Sequence, residues 1–207
     1  MPTPQNMVGL RKRLKEYAEI SGIDEISRRY FVMNAFDGAL TMLGIVIGAY
    51  IANIKNPSSI ISAGIAGSLA MAISGISGAY MAERAERLKK LKTLERAMLK
   101  DLRDSIHYRS HRFAMIMASL TDGLSPFLAA MIVLSPFFLV ELSVISWDLA
   151  FRASIVITLV LLFFMGVYLG KISEENMIVY GLEMVIIGLL TGFICFLASS
   201  LIGGNLT

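Results

Sequence analysis

Two acidic residues lie inside long apolar stretches of this sequence. Asp37 stands in an apolar run over residues 30–54, and Asp122 stands in a later one. Each acid is followed by glycine and has a hydroxyl nearby, from Thr41 and Ser125 respectively. A carboxylate in the hydrocarbon layer of a membrane is costly, so such a residue is by default a functional-site hypothesis. Glycine after the acid allows close helix approach or local unwinding.

Two carboxylates that face one cavity fit a divalent cation or a proton. Oxygen ligands suit hard cations, and a thioether from methionine favours softer transition metals. Two acids at close range cannot both ionise easily, so one would hold a proton that an entering cation displaces. This is a physical basis for proton-coupled exchange. The residues that we expect to line the metal and proton pathway are Asp37, Thr41, Met71, Asp122 and Glu183.

Each of these residues also has a purely structural interpretation. Asp37 or Asp122 could be a neutral, hydrogen-bonded contact between helices. Met71 could be packing only. Glu183 could extend to the membrane interface next to Tyr180.

A second set of possible metal ligands lies in a charged stretch over residues 83–112. Asp104, His107 and His111 lie at i, i+3 and i+7, so one helix face could hold a metal. A solvated charged face is the simpler interpretation. The two glutamates are most simply helix-surface charges paired with Arg87 and Lys90. The possible cytosolic ligands are Glu83, Glu86, Asp104, His107 and His111.

The apolar runs that carry these residues predict the fold. Hydrophobic residues make up 56% of the chain, above the roughly 45–50% of soluble domains. A run of about 20 such residues crosses a hydrocarbon layer of ~30 Å as a helix. We expect an all-α, polytopic membrane protein with five transmembrane helices and a charged cytosolic helical insert between helices two and three. The expected spans are about 30–54, 59–82, 113–140, 149–170 and 176–202.

The segments between the spans complete the expected organisation. The first is a cytosolic amphipathic segment, which suits a membrane surface or a solvated juxtamembrane helix. The charged insert is either a helical hairpin or a helix extending from span two. In order, the segments are the N-terminal segment (1–29), transmembrane helices 1–2 (30–82), the insert (83–112), transmembrane helices 3–5 (113–202) and a tail (203–207).

The positive charges predict the orientation. Of the 19 Lys and Arg residues, six precede span one and ten lie between spans two and three. The positive-inside rule therefore puts the N-terminus in the cytosol, and five spans put the C-terminus outside. This placement explains the positive net charge of the chain, so we expect no nucleic acid as a partner. The start of the chain does not resemble a signal peptide, which makes the plasma membrane the simpler expectation.

With this orientation the polar residues fall at a similar depth. Asp37 lies about 10 Å and Asp122 about 14 Å from the cytosolic ends of their spans, at ~1.5 Å per residue. Met71 and Glu183 fall close to the same level, so four helices bring polar or soft groups to one layer.

We find no catalytic motif and therefore expect no enzyme. The sequence has no nucleophile elbow, phosphate-binding glycine loop or HExxH motif, and we expect no bound cofactor. Its single cysteine, Cys195, excludes an internal disulfide. Two alternatives to a metal transporter stay open: a non-transporting membrane scaffold, and a proton-linked carrier of a small solute.

Span two resembles the second helix of the vacuolar iron transporter family. The similarity covers Gly64-Ile65-Ala66-Gly67, Ala72-Ile73-Ser74-Gly75, Gly78-Ala79-Tyr80-Met81-Ala82 and Glu86. The motif that begins at Asp37 resembles the family's first helix, and the Gly181–Gly188 pattern fits as well.

The resemblance implies a dimeric exporter that moves ferrous iron, or a similar metal such as manganese, out of the cytosol in exchange for protons. The family's first-helix acid corresponds to Asp37. Its span-two acid and methionine fall at or beside Gly67 and on Gly75, so both usual ligands are missing. Asp122 and Met71 are our candidates to replace them.

Overall fold

The computed structural model describes residues 14–102 and 105–203, which are all-helical and contain no strand. Five of their helices are long and apolar enough to cross a membrane, which agrees with the expected all-α class and number of spans. After the described part of α1 (14–21), the helices are α2 (Ile23–Ile51), α3 (Pro57–Met98), α4 (Ile106–Glu141), α5 (Trp147–Ile172) and α6 (Met177–Gly203).

Most of the described charged stretch is helical, at residues 83–98 and 106–112, but these residues do not form an element of their own. Residues 83–98 are the C-terminal part of α3, which is 42 residues long, and residues 106–112 open α4. No glycine or proline lies between residues 79 and 98 to stop the helix. Of the two forms that the sequence allowed, the extension of span two is therefore the one observed.

The chain forms two compact units, and α2, α3 and α4 contribute residues to both. Unit 1 comprises the described residues up to Phe31 together with Ile73–Leu124. Unit 2 comprises Val32–Ala72 and the described residues from Ser125 onward.

Unit 2 is held by apolar packing between helices. Its core includes Met42, Val133, Leu134 and Phe137, all fully buried. The Ser154 hydroxyl donates a hydrogen bond of 2.9 Å to the Val133 carbonyl and so links α5 to α4.

Helices α5 and α6 approach closely through glycine. A Cβ on Gly166 would lie 2.7 Å from the Gly181 Cα, and a Cβ on Gly170 would lie 2.7 Å from the Met177 Cα. Only small residues permit such backbone contact, which is how helices associate in lipid. The opposite faces of α6 expose large apolar side chains such as Ile186 and Phe193, as expected of a lipid-facing helix.

Two prolines lie inside α4 without ending it. Proline has no N–H, so the helical hydrogen bond to the carbonyl four residues earlier is lost. At Pro136 the neighbouring Ser135 hydroxyl donates to the Ile132 carbonyl at 2.7 Å and satisfies it instead.

Unit 1 has a smaller core beside its charged residues. Ile23, Ala114 and Ala118 are buried together, with Phe113 packed against them. The rings of Tyr17 and Phe113 pack at 6.2 Å between centroids and attach α1 to α4. Residues 14–21 of the predicted amphipathic segment are thus a packed helix, and its earlier residues lie outside the described part of the chain.

Candidate functional site

The Asp37 motif is set by a close helix crossing in unit 2. A Cβ on Gly38 would lie 2.6 Å from the Pro126 Cα, so the backbones of α2 and α4 are in contact there. Gly38 and Ala39 are buried by this crossing, whereas Asp37 and Thr41 of the same helix are exposed. α2 stays helical throughout. Of the two roles expected for the glycine, close approach is therefore the one observed.

Asp122 lies at a second crossing, in unit 1. A Cβ on Gly75 would lie 2.8 Å from the Asp122 Oδ2 atom and 2.9 Å from the Gly123 Cα. The missing side chain at position 75 thus leaves the space in which the half-buried Asp122 carboxylate lies. A methionine at position 75, as the family resemblance implies, would collide with this carboxylate.

The remaining pathway residues belong to unit 2. Met71 is half-buried and Glu183 is exposed. Within residues 14–102 and 105–203, no three His, Cys, Asp or Glu side chains are grouped in a way that could hold a metal ion. A site shared by Asp37 and Asp122 stays a prediction.

Helices α2 and α6 approach each other in unit 2 through small residues. A Cβ on Gly44 would lie 3.4 Å from the Cys195 Sγ atom, and a Cβ on Gly48 would lie 3.7 Å from the Ser199 Oγ atom. Small residues on α2 therefore face thiol and hydroxyl groups on α6.

A buried ion pair organises the charged end of unit 1. The Arg87 Nε atom donates to the Glu83 Oε2 atom at 2.7 Å, and only 5% and 7% of these two residues is exposed. The Tyr30 hydroxyl donates to the other Glu83 oxygen at 3.2 Å. The carboxylate therefore has a donor on each oxygen before any metal approaches.

Arg87 also reaches two other elements. Its Nη1 atom donates to the Ser21 carbonyl at 3.3 Å, at the end of α1, where Gly22 takes a positive φ of 61°. A cation at a helix C-terminus satisfies an otherwise unpaired carbonyl and the helix dipole. The same nitrogen lies 3.3 Å from the His111 Nδ1 atom, so Arg87 joins α1, α3 and α4.

The other possible cytosolic ligands have different surroundings. Burial, and then the charge of Arg87, lowers the pKa of His111 below its ordinary 6.5, which keeps the ring neutral at pH 7. The hydrogen bond from Lys90 lowers the pKa of Glu86, an exposed residue. His107 is exposed, and Asp104 lies outside the described residues. A metal site here stays a prediction.

Both glutamate–cation pairs expected from the sequence are present, at 2.7 Å for Glu83–Arg87 and 2.8 Å for Glu86–Lys90. The first was expected at the helix surface, and that is wrong because it is buried. Its links to Tyr30, Ser21 and His111 were also missed. The sequence contained one signal: an apolar residue, Leu91, follows Arg87 by one helical turn, and the structure shows that Leu91 is buried.

Comparison with known proteins places these features in a family. A family model described as the VIT family matches residues 28–105 and 87–200. The chain belongs to the VIT family. This confirms the resemblance seen in span two and identifies an integral membrane protein of a family that transports metal ions and is not enzymatic. An uncharacterised protein of Methanocaldococcus jannaschii is 36% identical over 176 residues, which cover 84% of this chain and 88% of that protein.

Arg87→Ala should destabilise this VIT protein strongly. It leaves the buried Glu83 carboxylate without its cation, and breaking a buried pair in this way costs about 3–5 kcal/mol. Thermal unfolding in detergent measures the effect. Lys90→Ala, which breaks the exposed pair, is the matched control and should cost less than about 1 kcal/mol. Equal effects of the two variants would contradict a structural role for the buried pair.

Gly75→Ala should disturb Asp122 directly. The new Cβ overlaps the carboxylate, and overpacking of this kind costs about 1–3 kcal/mol. Gly78→Ala is the control, because its Cβ would meet nothing within 4 Å. In the double variant with Asp122→Ala, part of the loss should be recovered, and a double-mutant cycle of unfolding free energies measures this coupling. Strictly additive effects would show that the two positions are independent.

Proposed function

We propose that this VIT family protein exports divalent metal ions, of the iron and manganese kind, from the cytosol in exchange for protons. The carrying observation is the position of Asp37, an exposed carboxylate within an apolar helix. Asp37, Thr41, Met71, Asp122 and Glu183 are the residues that we assign to the pathway.

The exposure of Asp37 supports a homodimer. A charged side chain at the bilayer centre costs about 2.5–3.5 kcal/mol on insertion scales. Asp37 and Thr41 lie one turn apart and both are exposed, so in a lone chain a polar face would meet lipid. A second copy related by a two-fold axis would cover this face with its own Asp37 and Thr41. The site is then built from both copies.

Such a site has the chemistry of cation–proton exchange. Facing carboxylates supply hard oxygen ligands for a divalent cation, and they share protons when the cation is absent because both cannot ionise easily. The nearby Thr41 hydroxyl adds a neutral oxygen. Binding of one divalent cation would release protons, which couples the two movements.

Asp122 and Met71 are proposed to replace the ligands missing at Gly67 and Gly75. The contact between Gly75 and Asp122 supports this, because the space left by glycine is taken by a carboxylate. The mixture of carboxylate and thioether favours a transition metal over magnesium. We place the protein in the plasma membrane with the N-terminus in the cytosol, following its charge distribution.

Metal flux into proteoliposomes tests this function. We expect Fe²⁺ and Mn²⁺ to move with opposite proton flux and Mg²⁺ to move far less. Asp37→Asn and Asp122→Asn should each lower metal flux at least tenfold by removing a carboxylate ligand. Asp24→Asn, an exposed acid in the first turn of the same helix as Asp37, is the control and should leave flux unchanged.

Two other results would replace the proposal. Proton flux that metals neither drive nor block would indicate a carrier of a small solute. If no ion moves and the two substitutions only lower thermal stability, the protein is a scaffold.

Cysteine cross-linking tests the dimer. In a Cys195→Ser background, Thr41→Cys should form a disulfide-linked dimer in membranes under mild oxidation, because the two-fold axis brings the exposed Thr41 positions together. Val156→Cys, on the exposed part of α5, is the control and should stay monomeric. Equal cross-linking at both positions would indicate random collision and argue against this interface.

A further inference from the structure

The exposed face of α2 that carries Asp37 also carries a methionine. Met33, Asp37 and Thr41 follow one another at steps of four residues, so their side chains lie on one side of the helix. All three are exposed. We call them the exposed row. The opposite side of α2 faces the core of unit 2, where Ala35 and Ala39 are buried.

Beyond Thr41 the same side of α2 is covered by α6. A Cβ on Gly44 would lie 3.4 Å from the Cys195 Sγ atom, and a Cβ on Gly48 would lie 3.7 Å from the Ser199 Oγ atom. These two glycines follow Thr41 by three and seven residues, which keeps them on the side of the exposed row. The row is therefore open over about 12 Å, at ~1.5 Å per residue, and closes after Thr41.

The spacing within the row lets one cation contact Met33 and Asp37 together. The Cβ atoms of residues four apart on a helix are about 5–6 Å apart. Helical side chains lean toward the N-terminus, so the Asp37 carboxylate extends toward Met33. Methionine has three rotatable bonds and a polarisable sulfur, so its Sδ atom can adapt to a cation held by the carboxylate.

The two donors prefer different metals. Carboxylate and hydroxyl oxygens suit hard cations, whereas a thioether suits softer transition metals. With the N-terminus in the cytosol, Met33 lies at the cytosolic end of the row, where an entering ion arrives first. We propose that Met33 is a thioether ligand of the transported cation and gives the site its preference for later transition metals over Mn²⁺. This rests on the proposed function and adds a ligand to it.

Met71 is the other methionine assigned to the pathway. It is half-buried and lies on α3, so its contact with a metal at Asp37 depends on how α2 and α3 pack. Contact through Met33 requires only the geometry of a single helix. The two methionines therefore make separate predictions.

Binding of Co²⁺ and Mn²⁺ to the full-length protein tests the role of Met33 without a transport assay. Co²⁺ is the probe for later transition metals, and Mn²⁺ is the reference. Calorimetry in nanodiscs of uncharged lipid gives both Kd values. X-ray absorption at the cobalt edge shows whether sulfur is bound to the metal, and a Cys195→Ser background excludes the thiol as its source.

Met33→Leu removes the sulfur and conserves the side-chain volume, so the variant should fold like the wild type. We expect the Kd for Co²⁺ to rise about fivefold or more, the preference over Mn²⁺ to fall by a similar factor, and the sulfur signal to disappear, because only the thioether is lost. Met177→Leu, which changes another exposed methionine at the start of α6, is the control and should leave all three readings unchanged.

Three results would overturn the proposal. If Co²⁺ binds without a sulfur signal, Met33 only faces lipid, while the proposed function stands. A sulfur signal that survives Met33→Leu and is lost in Met71→Leu would assign the thioether to α3. If neither cation binds, or if binding is unchanged in Asp37→Asn, the proposed site at Asp37 fails together with the role of Met33.

Discussion

The backbone contact between Gly38 and Pro126 determines how α2 presents its acid. With Gly38 pressed against α4, a residue one position earlier is rotated by about 100° on a helix of 3.6 residues per turn, and Asp37 is exposed. Any side chain at position 38 would separate the helices and change that rotation. The acid-glycine order is therefore a packing requirement as well as a chemical motif.

The second acid-glycine pair works through a different partner. Gly123 is buried, and Asp122 lies against Gly75 of α3. Here the small residue on the neighbouring helix makes room for the acid. A side chain at position 75 and the Asp122 carboxylate would occupy the same space. Glycine at position 75 therefore allows this chain of the VIT family to carry an aspartate at position 122.

The sequence predicts the helices of this fold better than it predicts which residues pack against each of them. Runs of apolar residues were enough for five spans, and an unbroken series of helix formers favours the observed continuation of α3 to Met98. The i, i+4 pairing of Glu83 with Arg87 was also predictable, but such a pair fits a surface and an interior equally well. Its burial depends on α1 and α4, which lie far away in sequence. Likewise, helical periodicity shows which residues share the face of Asp37 but not what covers that face.

The buried pair also bears on where a metal could first be held. One carboxylate oxygen of Glu83 accepts a hydrogen bond from the Tyr30 hydroxyl, and the other accepts one from the Arg87 Nε atom. A cation arriving at this carboxylate would have to displace a guanidinium that also satisfies the end of α1, and the displaced charge would remain buried. Removing a cation from a buried pair costs several kcal/mol. Asp37 carries no such internal cation in the described chain: its exposed carboxylate can accept a metal without first breaking an ion pair. A metal bound at Asp37 would therefore avoid the cost of breaking a buried ion pair, which a metal bound at Glu83 would carry.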